Sequence, residues 1–284
     1  MIILADPNRK IKKALKVALV SFFVVALMVA YGMPWGQKNA LAGLEASASN
    51  QMPLTNLPVY HQGAGNLQIE APSAISIAVG FENDKVLFAK NETEQLPIAS
   101  LTKLMTALVV FERYDVSQVH DLLFDMLIES SNEAAQTLSG MMGQEAFVAA
   151  MNARAKDLGM ANTHFADSSG LSPQSVSSAQ DVVTLAEYLF EQYPLFREII
   201  SLPTYQLRVN NQFYTIANTN KLLGQDNIIG GKTGFTQEAK GCMMVVQQSL
   251  QESHYIISVV LGSQDRFLET KHIIEWASQA YTWQ

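Results

Sequence analysis

The sequence predicts an α+β domain: an antiparallel sheet takes strands from both ends of the folded region, and a helical block is inserted between them. Three observations carry this. Ser73-Ala74-Ile75-Ser76-Ile77-Ala78-Val79 alternates small polar with apolar residues, the period of a strand. From Ser100 the apolar positions Leu101, Leu104, Met105, Leu108 and Phe111 recur at spacings of three and four, the period of a helix. Strand signals return at 204–209, 213–217, 241–248 and 255–261, and a closing helix is predicted at about 266–283. Strands, a helical block, then antiparallel strands and a helix is the order of an α+β fold.

The N-terminus has a different character. Arg9, Lys10, Lys12, Lys13 and Lys16 precede an uncharged run from Val17 to Trp35. That run is long enough to cross a bilayer as a helix, with the basic flank on the cytoplasmic side and the rest of the chain outside. Residues 1–36 therefore read as a signal peptide or an N-terminal membrane anchor. The small-x-small triplets Ala40-Leu41-Ala42 and Ala46-Ser47-Ala48 favour cleavage, whereas the length of the apolar run favours retention, and the sequence leaves both open. Residues 37–66, rich in Ala, Ser, Asn, Gln, Gly and Pro without periodicity, read as a flexible linker. Residues 67–284 read as one folded domain. In it, Lys85-Val86-Leu87-Phe88 can pair with the first strand after a turn at Asn83-Asp84. Further helices are predicted at about 119–128, 133–142, 144–158 and 179–193.

Composition narrows the function. With 48% apolar and 16% charged residues over 284 positions, the chain can bury a substantial core, and disorder is excluded. A formal charge of −7 lacks the basic footprint of a nucleic-acid binder. Setting aside the five N-terminal bases and Asp6 leaves 14 bases against 25 acids, or −11 on the part predicted to be exported. The single cysteine, Cys242, excludes an internal disulfide and a multi-thiolate zinc site. His61, His120, His164, His254 and His272 show no ligand spacing, so no metal or other cofactor is expected.

Three short elements carry chemistry. Ser100 opens a helix, where its hydroxyl meets free backbone N–H groups and the positive end of the dipole, and Lys103 returns to the same face three residues later. The apolar flanks Leu96-Pro97-Ile98-Ala99 and Leu104-Met105 place that lysine away from water, where its pKa falls and it can act as a base. Ser130-Ser131-Asn132 lies at a break between helices, with Ser131 or Asn132 suited to capping. Gly230-Gly231-Lys232-Thr233-Gly234 opens a late strand, and its glycines admit close approach of another chain. Taken singly, each is equally a helix cap or an edge turn with a solvated lysine.

In the order Ser-x-x-Lys, Ser-x-Asn, Lys-Thr-Gly they form the set shared by penicillin-binding proteins and β-lactamases. The chain resembles the D-alanyl-D-alanine carboxypeptidases, the low-molecular-mass penicillin-binding proteins of the serine peptidase type, over roughly residues 72–280. The likeness extends to Pro97–Ala107, Asn152–Phe165, Gly170-Leu171, Asn218–Leu223 and Lys232–Thr236. The resemblance implies a β-lactamase/DD-peptidase-like fold and a reaction on peptidoglycan stem peptides. In it Ser100 would attack the D-Ala–D-Ala carbonyl and Lys103 take its proton. The N–H groups of Ser100 and Phe235 would form the oxyanion hole. Ser130, helped by Lys232, would protonate the leaving amine, and Asn132 would hold the substrate backbone. Lys232, Thr233 and Arg266, beside Gly234, would bind the terminal carboxylate. β-Lactams would acylate the same serine. Lys232 is expected to stay charged and to push Lys103 towards neutrality.

The match also departs from the family. Lys103 and Ser130 lie only 27 positions apart, fewer than the family pattern, which leaves Tyr114–His120 to make the connection and removes part of one cleft wall. Ser131 and Glu133 stand where a glycine and an aspartate are usual. Smaller family members that cleave the D-Ala–diaminopimelate cross-link share Lys-Thr-Gly-Phe-Thr followed by a cysteine-containing strand, so a DD-endopeptidase is the alternative. No Glu-x-x-x-Asn lies between Asn132 and Lys232, which disfavours a β-lactamase. An inactive module that binds cell-wall peptides is the alternative from a different class.

Overall fold

The computed structural model describes residues 58–61, 63, 65–80, 84–209, 211–249 and 254–282. The chain enters through β1 (Val59–Tyr60), β2 (Ser73–Val79), β3 (Lys85–Lys90) and β4 (Leu96–Pro97), and a 3-10 turn at Ala99–Leu101 leads into α1 (Thr102–Arg113). Helices α2 (Val116–Ile128), α3 (Asn132–Gly140) and α4 (Gln144–Asp157) follow, then β5 (Val176–Ser177), α5 (Ala179–Gln192) and α6 (Pro194–Ser201). The hairpin β6 (Thr204–Val209) and β7 (Gln212–Ala217) precedes β8 (Ile228–Thr236), β9 (Lys240–Gln248) and β10 (Tyr255–Ser263). Helix α7 (Arg266–Ala280) and β11 (Tyr281–Thr282) close the chain.

The main sheet has the order β3-β2-β10-β9-β8, antiparallel throughout. It joins both ends of the domain, as predicted, with β2 aligned on β10 from Ser73 opposite Leu261 to Val79 opposite Tyr255. Alternate residues on a strand face opposite sides, and here both sides are covered. Ile75, Ile77 and Val79 with Ile257, Val259 and Leu261 join the core beneath the helical block. Ala74 and Val260 pack with Ile273, and Met243 and Val245 with Ile274, under α7. Helix α7 is fixed at its first turn by Asp265, which accepts from the N–H groups of Phe267 and Leu268, and by buried Glu269, which accepts from Glu70 N, Ala71 N and the Ser263 hydroxyl.

Several boundaries differ from the sequence reading. Ser100 lies in the 3-10 turn, and the α-helix begins at Thr102. The cause is Ala99, whose φ of 45° places it in the left-handed region and prevents an α-helical start there. Only Tyr114 and Asp115 separate α1 from α2, because Asp115 accepts from Ser117 N and caps a helix that starts three residues earlier than its apolar spacing suggested. Helix α6 was not anticipated; Pro194 at its first turn starts a new helix directly after α5. The strands β6 and β7 form a separate hairpin outside the main sheet. The ordered fold reaches further towards the N-terminus than Leu67, since β1 pairs with β11 and Trp276 Nε1 donates to Gly65 O. The predicted signal or anchor at 1–36 and the first part of the linker lie outside the described residues. Among the described residues no helix is long and apolar enough to cross a membrane.

Candidate active site

The three sequence elements meet at one place, between the helical block and the edge strand β8. Lys103, on the first turn of α1, is fully buried. Its Nζ donates to Ser100 Oγ at 2.9 Å, Asn132 Oδ1 at 2.7 Å and the Ser169 carbonyl at 2.6 Å. Asn132 is in reach because Ser131 caps α3 by accepting from Ala134 N at 3.1 Å, which sets Asn132 on the first turn facing α1. Ser130, just before that cap, has φ of 70° and accepts from Lys232 Nζ at 2.7 Å. Two non-glycine residues of this site, Ala99 and Ser130, thus hold left-handed backbone, the kind of strain that concentrates at functional positions.

Lys232 is also buried, on β8, and donates to the Thr233 carbonyl at 3.1 Å as well. The Thr233 hydroxyl donates to Thr219 Oγ1 at 2.8 Å, and Thr219 N donates to the carbonyl of Ile128, two residues before Ser130. Gly234 is needed for closeness: a Cβ there would lie 2.9 Å from Ser100 N. Phe235 therefore follows beside the Ser100 amide and is 54% exposed. Arg266 stands one layer back. Its guanidinium lies 4.6 Å from the Phe267 ring centre and 6.0 Å from that of Phe235, with Nε buried and unbonded. All nine predicted residues are thus brought to one region, Ser100, Lys103 and Asn132 as one hydrogen-bonded cluster and Ser130 with Lys232 as a second.

Electrostatics distinguish the two lysines less than the sequence suggested. Burial lowers the Lys103 ammonium to about 8, against the raising field of Asp167. Lys232 is held well below its ordinary value too, first by burial and then by the like charges of Lys103 and Arg266. Burial thus opposes both ammonium groups, and the like-charge effect falls on Lys232 rather than on Lys103. Asp167 is the residue that sequence reasoning missed. Cys242 is buried beside Gly234 on the neighbouring strand, its thiol pushed up to about 11, mainly by burial. Among the described residues there is no cluster of three or more potential metal ligands.

The family model for D-alanyl-D-alanine carboxypeptidase matches residues 60–120 and 113–265. The chain belongs to that family. The two matched stretches overlap at 113–120, the α1–α2 junction, and beyond it Ser130 and Asn132 contact Lys232 and Lys103. Among relatives, a D-alanyl-D-alanine endopeptidase of Escherichia coli (strain K12) is 31% identical, covering 93% of this chain and 87% of that protein. The D-alanyl-D-alanine carboxypeptidase DacB2 of Mycobacterium tuberculosis is 31% identical, covering 63% of this chain and 72% of its own length. Among solved structures, penicillin-binding protein D2 of Listeria monocytogenes in its cefotaxime-bound form matches with a TM-score of 0.67 and 32% identity, over 75% of this chain and 99% of that one. This family member is an enzyme of the serine DD-peptidase type, and its α+β fold is that of the penicillin-binding proteins.

Proposed function

We propose that this DD-peptidase acts on peptidoglycan stem peptides through an acyl-enzyme on Ser100, and that the leaving group is the terminal D-alanine. The observation that carries the reading is the double contact in which Lys103 Nζ meets Ser100 Oγ while Lys232 Nζ meets Ser130 Oγ. In its neutral form Lys103 accepts the Ser100 proton across the same 2.9 Å contact as Oγ bonds to the carbonyl carbon. The N–H groups of Ser100 and Phe235 hold the oxyanion. The C–N bond then breaks as Ser130 passes its proton to the departing amine and takes in its place the proton that Lys103 removed; water then hydrolyses the ester, its OH going to the acyl carbon and its remaining proton to Ser100. Asn132 aligns the substrate backbone, while Lys232, Thr233 and Arg266 receive the terminal carboxylate. That carboxylate favours the charged form of buried Lys232. Charging Lys232 opposes the proton on Lys103, so substrate binding itself favours the free base.

A second reading keeps the chemistry and changes the leaving group to the amine of a cross-linked stem peptide. It is favoured by the endopeptidase relative, which aligns over most of both chains. Purified enzyme given a pentapeptide and a cross-linked muropeptide separates them. Release of D-alanine from the pentapeptide is expected; cleavage of the cross-link alone establishes the second reading, and no cleavage of either contradicts both. β-Lactams acylate Ser100 in this account, as supported by the antibiotic-bound Listeria protein. The basic cluster and uncharged run at 9–35 support export, with 1–36 as signal or anchor, 37–66 as the connecting segment, and the catalytic domain beyond it acting outside the cytoplasmic membrane.

A further inference from the structure

We propose that Asp167 is a positioning residue for acylation, acting on Lys103 through the loop that its carboxylate ties together. This rests on the reading of Ser100 as nucleophile and Lys103 as base. The segment 168–175 has little regular structure, and Asp167 organises it. Oδ1 accepts from Gly170 N at 3.0 Å and Ser175 Oγ at 2.6 Å. Oδ2 accepts from Ser169 Oγ at 2.9 Å, Leu171 N at 2.9 Å and Ser172 N at 3.3 Å. Five donors on one carboxylate fix both ends of the loop, and against the cost of burial these hydrogen bonds hold its acid below its ordinary value.

What the loop presents to α1 is backbone. The Ser169 carbonyl is the 2.6 Å acceptor for Lys103, and the Ser168 carbonyl accepts from Thr106 Oγ1 at 2.6 Å, one turn further along the same helix. Gly170 lies against the Ala99 carbonyl, immediately before the nucleophile. Asp167 thus sets the position of the carbonyl that aims Lys103 at Ser100 without a hydrogen bond to either. Its charge acts as well, since an anion this close favours the ammonium form. The ionisable groups facing Lys103 are Asp167 and, on β8, Lys232, with Arg266 of α7 beyond it; Ser100, Ser130, Asn132 and Ser169 are neutral. Behind Asp167, a surface cavity of about 450 Å³ brings Glu145 and His164 to its other side.

The two actions have separable signatures. Asp167→Asn keeps the shape and removes the charge. The loosened carbonyl lowers the plateau rate of Ser100 acylation several-fold. The lost anion moves the rising limb, which in the wild type lies near the Lys103 value of about 8, towards acid. The test is the second-order rate of labelling by a fluorescent penicillin from pH 6 to 10, for wild type, Asp167→Asn and Asp167→Glu. The ratio of Asn-variant to wild-type rate is expected to rise about threefold or more from pH 9 to pH 6.5. Asp167→Glu, which keeps the charge, should retain the wild-type limb with a lowered plateau. A lowered plateau with an unmoved limb in Asp167→Asn keeps the positioning action and removes the charge action, whereas a rate per folded enzyme that matches the wild type across the whole pH range overturns the proposal. If Asp167→Asn does not fold, the Glu variant decides: a wild-type limb supports the proposal and an acid-shifted limb overturns it. Wild-type enzyme that takes no label at any pH refutes the Ser100 reading instead, so the two failures are distinct.

Discussion

Lys103→Met is expected to lower the rate of penicillin acylation about a thousand-fold while leaving the protein folded. Positioned general bases contribute about 10²–10⁴-fold, and Lys103 is the basic group in contact with Ser100 Oγ, at 2.9 Å. Methionine fills a similar volume without the charge. It leaves Asn132 Oδ1 and the Ser169 carbonyl without a donor, at about 1–3 kcal/mol each at most. Removing a fully buried ammonium offsets much of that cost. The melting temperature should therefore move by only a few degrees as activity collapses. Burial lowers the wild-type amine to about 8, which raises its free-base share at neutral pH above that of an ordinary lysine. Acylation of Lys103→Met within tenfold of wild type would remove Lys103 from the base role.

The second large effect is on the fold around the nucleophile. Gly170→Ala should destabilise the protein by about 3 kcal/mol or more and cut acylation in the fraction that folds. Gly170 has φ of 80°, which costs an alanine strain in any surroundings. Here the added Cβ would also overlap the Ala99 carbonyl and lie 2.9 Å from the buried Thr102 hydroxyl. Ala99 already holds a left-handed φ of 45°, so it cannot yield without moving Ser100. For a domain of this size the loss corresponds to roughly 10 °C in melting temperature. Gly140→Ala is the matched control. It ends α3, nothing lies within 4 Å of its added Cβ, and it should be neutral or stabilising by up to about 1 kcal/mol. Equal melting temperatures for the two variants would show that the Gly170–Ala99 contact does not constrain the turn.

The sequence was informative wherever a periodic signal or a side-chain motif sufficed. The alternation at Ser73–Val79 gave β2 to the residue, and the same period placed β9 and β10 within two residues of their ends. The motif residues converge as their order predicted, with Lys103 and Lys232 both withdrawn from water. What was not legible was set by backbone. The 3-10 entry to α1 depends on the φ of Ala99, for which an alanine gives no signal. Lys103 owes one of its three acceptors to the Ser169 carbonyl, a group every residue carries. Asp167 reads locally as a polar turn residue, because its tie to Ser175, eight positions on, forms only once the loop closes. The Asp-Ser-Ser-Gly string was the one available hint of such a turn.

Whether Ser100 carries the acyl group is decided by intact-mass spectrometry after penicillin treatment, comparing wild type with Ser100→Ala. A single penicilloyl adduct is expected on the wild type, mapped by peptide digestion to the segment containing Ser100, and none on Ser100→Ala. An adduct of equal occupancy on the alanine variant, or one mapped to Ser130 instead, would contradict that assignment.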